Sequence, residues 1–140
     1  MDNLQRAIVT LLLHGDDLIP EEITAILGAQ PTLGVRRGDE FVGHQGSLIT
    51  AKTGRWDVST GWHEPPCIDE MICEVLHSLT DGVQIWRDLM TRIDGYVSVG
   101  LYFHEDSWTG GITLEPQTLR LLGDRGLALD FDMYAPGASN

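Results

Sequence analysis

The chain has 140 residues, of which 42% are hydrophobic and 21% charged, the composition of an ordinary folded domain rather than of a disordered or collagen-like chain. Nine basic residues against 21 acidic ones give a formal charge of −12. The acids are spread along the chain, which argues against nucleic acid or an anionic membrane as a partner and for solubility or capture of a basic protein.

The predicted elements begin with Ala7 to Leu13, a short run apolar on both faces that reads as a buried strand and ends at His14-Gly15-Asp16-Asp17. It is the longest nearly apolar run and is too short to cross a bilayer. The residues before it lack the order of a signal peptide, so a cytoplasmic protein with Cys67 and Cys73 reduced is expected. Pro20 suits the first position of a helix, where its missing N–H costs nothing. Leu18 and Ile23 are placed to form a hydrophobic staple, Ile23, Ile26 and Leu27 to face inward, and Gly28 to end the helix.

From Gly34 to Gly61 the chain is rich in Gly, with two short predicted strands, Ser47 to Ala51 and Arg55 to Thr60, around the turn Thr53-Gly54. Ile68, Met71, Ile72, Val75, Leu76 and Leu79 then keep helical spacing, and Trp86, Leu89, Met90 and Ile93 resume it beyond Asp81-Gly82. Tyr96 to His104 alternates as a strand. Pro116 opens another helix, with Leu114 stapling to Leu119 and a stripe of Leu119, Leu122 and Leu121. A last strand alternates Leu127, Leu129, Phe131 and Met133 against Ala128, Asp130, Asp132 and Tyr134.

The two Pro-led helices repeat one pattern. Leu18-Ile19-Pro20-Glu21-Glu22-Ile23 to Leu27-Gly28 is echoed by Leu114-Glu115-Pro116-Gln117-Thr118-Leu119 to Leu122-Gly123, each after a strand-like run. The pattern predicts one α+β domain over residues 1–134 with a flexible tail at 135–140. The expected architecture is a ferredoxin-like split βαβ, with helices on one face of a mainly antiparallel sheet and an inserted Gly-rich strand segment.

Gly15-Asp16-Asp17-Leu18-Ile19-Pro20-Glu21-Glu22-Ile23, Gly28-Ala29-Gln30-Pro31-Thr32, Arg37-Gly38-Asp39, Gly54-Arg55-Trp56-Asp57-Val58 and Leu129-Asp130-Phe131-Asp132-Met133-Tyr134 occur in an order that resembles the bacterial family catalogued as domain of unknown function 4279. The resemblance covers about residues 6 to 134. It implies no established activity and no catalytic residues. The acidic helix Cys67 to Leu79 and the insert Phe41 to Leu48 depart from the family pattern.

Two constellations are candidates for function. A ferredoxin-like sheet would make the first and third core strands parallel neighbours, bringing His14, Asp16 and Asp17 beside His104, Glu105 and Asp106. Such a set could hold a divalent cation or perform acid–base chemistry, although acids after strands are more often solvated turn residues. In the middle segment, Arg36, Arg37 and Arg55 lie near Trp56 and Trp62, residue types favoured at interface hot spots; the plainer reading puts Trp56 in the core. Cys67 and Cys73, with His63 and His77, lack the close paired spacing of a structural zinc site. Neither a nucleophile elbow nor a phosphate loop is present in the sequence, and no cofactor is expected.

These readings favour a non-catalytic protein-interaction module, of immunity or antitoxin type, that binds a basic partner. The alternatives are a metal-binding or hydrolytic domain built on the His/carboxylate cluster, or a small-ligand sensor with a pocket between sheet and helices.

Overall fold

The computed structural model describes residues 4–43, 45–104 and 111–134. The first strand, β1 (Leu4–Gly15), runs through the middle of a five-stranded sheet. After it come α1 (Pro20–Leu27), three short strands β2 (Leu33–Val35), β3 (Glu40–Val42) and β4 (Leu48–Thr50), and the long β5 (Gly54–His63). Two helices, α2 (Ile68–His77) and α3 (Val83–Leu89), lead to β6 (Asp94–Phe103), and α4 (Pro116–Asp124) leads to β7 (Ala128–Tyr134). The sheet order is β2-β5-β1-β6-β7, and β3 pairs with β4 in a separate hairpin. β5 and β6 flank β1, both antiparallel to it, while β7 runs parallel to β6. The chain is therefore α+β, with four helices among the described residues and a mixed, mainly antiparallel sheet.

Local chemistry explains why these elements form where they do. Pro20 and Pro116 both stand at the start of their helices, as expected. Leu18 and Ile23 are both buried, and Gly28 ends α1 in the left-handed region at φ 83°. In β1, Leu4, Ala7, Val9, Leu11 and Leu13 are buried. They share one core cluster with Ile23 and Leu27 of α1, Met71, Ile72, Val75 and Leu76 of α2, Trp86 and Leu89 of α3, and Leu122 of α4. All four helices thus cover the same face of the sheet. Arg125, buried just beyond α4, donates from its guanidinium to the Leu121 carbonyl, which suits a cation at a helix C-terminus.

Several expectations are corrected. β1 and β6 are neighbours, but Leu4 faces Phe103 and His14 faces Asp94, so they are antiparallel rather than the parallel pair of the expected ferredoxin-like order. The repeat is real but its halves are built differently. β1 and β2, joined by α1, lie on either side of β5, whereas β6 and β7, joined by α4, are adjacent. In α4, Leu122 and Leu121 face the core as expected, but Leu119 is 51% exposed and Thr118, four residues before Leu122, takes the inward place. In β7, Leu129 packs on the core, but Phe131 and Met133 are exposed, because α4 does not reach over the far end of this edge strand. The expected tail at 135–140 lies outside the described residues.

One irregularity decides what the other face of the sheet displays. Thr10 faces Ser59 and Ile8 faces Trp62, so Thr60 and Gly61 of β5 both lie opposite Val9. This is a β-bulge, with Gly61 at φ 74° supplying the left-handed residue that such a bulge favours. The Val9 N–H donates to the Thr60 hydroxyl (3.1 Å), which satisfies a donor at the break in the ladder. Before the bulge, Trp56 points into the core; after it, the even-numbered Trp62 points away from the helices. Gly61→Ala is expected to destabilise the fold by about 1–2 kcal/mol, and Trp56→Ala by about 3–5 kcal/mol. Urea denaturation reads both, and a Gly61→Ala midpoint equal to that of the parent would contradict the bulge.

Candidate functional site

The face of the sheet turned away from the helices is built from alternate residues of the four long strands. Reading across β1 and β6, its rows are Arg6 with Tyr102, Ile8 with Gly100, Thr10 with Ser98, Leu12 with Tyr96 and His14 with Asp94. β5 adds Trp62, Ser59, Asp57 and Arg55 on one side, and β7 adds Tyr134, Asp132 and Asp130 on the other. The surface is chemically graded from an aromatic end to a charged end.

At the aromatic end, Tyr102 stacks on Tyr134 with ring centroids 4.6 Å apart, and Trp62 meets Tyr102 edge-on at 5.3 Å. The Arg6 guanidinium lies 4.4 Å from the Trp62 ring and 4.4 Å from the Tyr102 ring. Each such contact contributes about 0.5–1 kcal/mol where water has access. Gly100 makes room for this packing: a Cβ there would come within 3.0 Å of the Ile8 side chain. Trp62 keeps 40% of its surface exposed, while Tyr102 is buried, and its hydroxyl has no hydrogen-bond partner among the described residues. On the adjoining strand, Asp132 accepts a long hydrogen bond from Ser98 (3.4 Å), and both Asp130 and Asp132 are exposed.

At the charged end, Asp57 sits between Leu12 and Leu33 of the neighbouring strands and is 6% exposed. Its Oδ2 accepts a short, charge-assisted hydrogen bond from Arg55, and its Oδ1 is buried without a partner among the described residues. The ring of Phe41, from the β3–β4 hairpin, lies 5.5 Å from the Arg55 guanidinium and covers this corner of the sheet. A shallow hollow of about 280 Å³ opens beside it, lined by Leu12, His14, Thr53, Arg55 and Tyr96. Burial lifts the Asp57 carboxyl above its ordinary value of 3.8, against the pull of the Arg55 charge and hydrogen bond and of His14.

The residues singled out in the sequence do not converge. Trp56 is wholly buried, and its indole N–H donates to the Thr24 hydroxyl (3.0 Å), so it cannot touch a partner. Arg55 and Trp62 do share the helix-free face but stand near opposite ends of β5. Arg36 pairs with Glu21 at 3.4 Å and Arg37 with Asp16 at 3.9 Å, exposed pairs of little energetic weight. The proposed His/carboxylate cluster is overturned by strand direction. His14 ends β1 beside the start of β6, whereas His104 follows the end of β6, beside Leu4, so the two imidazoles lie at opposite ends of the sheet. Glu105 and Asp106 lie outside the described residues. Among the described residues no three His, Cys, Asp or Glu side chains are grouped to hold a metal ion, and no helix is long and apolar enough to cross a membrane.

Sequence reading missed Arg6, Tyr102 and Tyr134. The alternation that places Tyr102 on β6 and Tyr134 on β7 was visible, but the meeting of Trp62 with Tyr102 and with Arg6 of β1 depends on the bulge. The chain belongs to the family described as a domain of unknown function (DUF4279), whose model matches residues 5–136. No curated protein matches the chain significantly, and no solved structure does.

The direction of the Asp57 shift fixes a pH dependence. A carboxyl whose folded pKa lies above its unfolded value gives stability that is full below the unfolded value and is lost as pH rises through the folded one. As pH rises from below the ordinary value of 3.8 through the raised folded one, the stability of the parent should therefore fall relative to that of Asp57→Asn. Urea denaturation across this range measures the difference. A parent that gains on the variant would mean that Arg55 outweighs burial.

Proposed function

We propose that the chain is a non-catalytic protein-interaction module, cytoplasmic and of immunity or antitoxin type, whose helix-free sheet face binds a basic partner. The observation that carries this reading is the exposed Trp62 and half-buried Tyr134, braced by the buried Tyr102, beside the exposed Asp130 and Asp132. Trp, Tyr and Arg are the residues that dominate interface hot spots, and a rigid aromatic surface loses little conformational entropy when it is covered. The guanidinium of Arg6 between two rings shows what chemistry this surface accommodates, and the outer part of Trp62 remains exposed for a second cation. The formal charge of −12 would speed encounter with a basic protein and make binding sensitive to salt.

The hollow beside Arg55 and His14 supports a second reading, a sensor for a small anionic ligand, which thermal-shift screening of metabolites would examine. For the main reading, the tagged parent and Trp62→Ala are used to retrieve partners from the native host at low and high salt. The parent should hold a stoichiometric basic protein that weakens at high salt, and Trp62→Ala should lose about 2 kcal/mol or more of the affinity. No basic partner, or one held equally by Trp62→Ala, would overturn it.

A further inference from the structure

Among the described residues the sheet ends at β7, which pairs with β6 on one side only, over Ala128–Tyr134. Its outer edge presents a row of backbone N–H and C=O groups. Proteins usually blunt such an edge with Pro, charged side chains, a bulge or short length. The opposite edge follows this habit, since β2 has three residues. β7 follows it only through Asp130 and Asp132, whose charge opposes an acidic strand and not a cationic one; it has seven residues, no Pro, no Lys and an unbroken register. It is packed in place by Tyr134 stacked on Tyr102 and Leu129 against the core.

The side chains along this edge specify what could pair with it. On the helical side, Phe131 is 38% and Met133 62% exposed. On the helix-free side, Asp130 and Asp132 are exposed. An extended segment laid along β7 would place alternate side chains against these two rows. One row accepts apolar groups, and the other selects Lys or Arg. A second copy of the chain fits poorly. Antiparallel edge-to-edge pairing of two copies keeps both helix-free faces on the same side, so the Asp130 and Asp132 rows would meet, and like charges across a strand pair repel.

We propose that the outer edge of β7 is a strand-addition site for an extended segment of the basic partner, in which apolar residues alternate with Lys or Arg. This rests on the reading of the chain as a binder of basic protein, and gives that reading a main-chain mechanism.

The test uses the full chain with two short synthetic peptides, one alternating Lys and Val and the other Glu and Val, followed by residue-resolved amide hydrogen exchange. With the Lys–Val peptide, alternate amides of residues 128–134, those facing outward, should slow by roughly tenfold or more, with no slowing from the Glu–Val peptide. Asp130→Asn combined with Asp132→Asn should weaken Lys–Val binding roughly tenfold at low salt. Phe131→Ser combined with Met133→Ser should weaken it without altering its salt dependence, which separates the two rows. No binding, equal protection by the Glu–Val peptide, or protection outside β7 would overturn the strand-addition site. If the Lys–Val peptide binds elsewhere on the helix-free face and is lost in Trp62→Ala, the basic-partner reading stands while the edge proposal fails. If host retrieval yields no basic protein, the broader reading fails on its own test.

Discussion

The structure depends on the double pairing of β1. A strand with hydrogen-bonded neighbours on both sides cannot rotate, so each of its residues is committed to one face. Leu4, Ala7, Val9, Leu11 and Leu13 are given to the helices, and Arg6, Ile8, Thr10, Leu12 and His14 to the other side. Because β5 and β6 are both registered on β1, their alternation is fixed by it, and β7 is fixed in turn through β6. The four helices cover only one of the two faces so defined. The other is left with a mixture of rings, hydroxyls and charges that no helix demands, and function is most economically sought there.

Within that frame a single inserted residue changes the chemistry. Without the bulge at Thr60 and Gly61, the alternation of β5 would carry Trp62 to the same side as Trp56. With it, one tryptophan serves the core and the other the surface. Trp56 is sealed against α1 through its bond to Thr24, while Trp62 joins Arg6, Tyr102 and Tyr134. The charged end of the same face obeys a different constraint. Asp57 is buried between Leu12 and Leu33 and is compensated by Arg55, so this pair is fixed before any partner arrives, and breaking it would leave a buried charge alone.

Much of this was legible in the sequence. The Pro-led helices, the staple of Leu18 on Ile23, the Gly28 stop, the amphipathic α2 and the strands around β1 and β6 all follow from local rules that act within a few residues. Pairing direction was less accessible, because periodicity says which residues share a face and not which way a neighbouring strand runs. That gap produced the expected cluster of His14 with His104, which antiparallel pairing places at opposite ends of the sheet. The exposure of Phe131 and Met133 had the same origin: alternation marks a half-covered strand, but the reach of α4 is a tertiary property. For Trp62, the signal in the sequence was Gly61, a residue able to adopt φ above zero in an otherwise regular strand, next to a Thr whose hydroxyl can serve the broken ladder.

The bulge turns Trp62 onto the helix-free face, where it meets Arg6 and Tyr102. Nuclear Overhauser contacts from the Trp62 indole measure this most directly. Contacts are expected to the side chains of Ile8, Arg6 and Tyr102, and none to the helices. Contacts from Trp62 to Val9, Leu101 or Val75 would place it in the core and contradict the account.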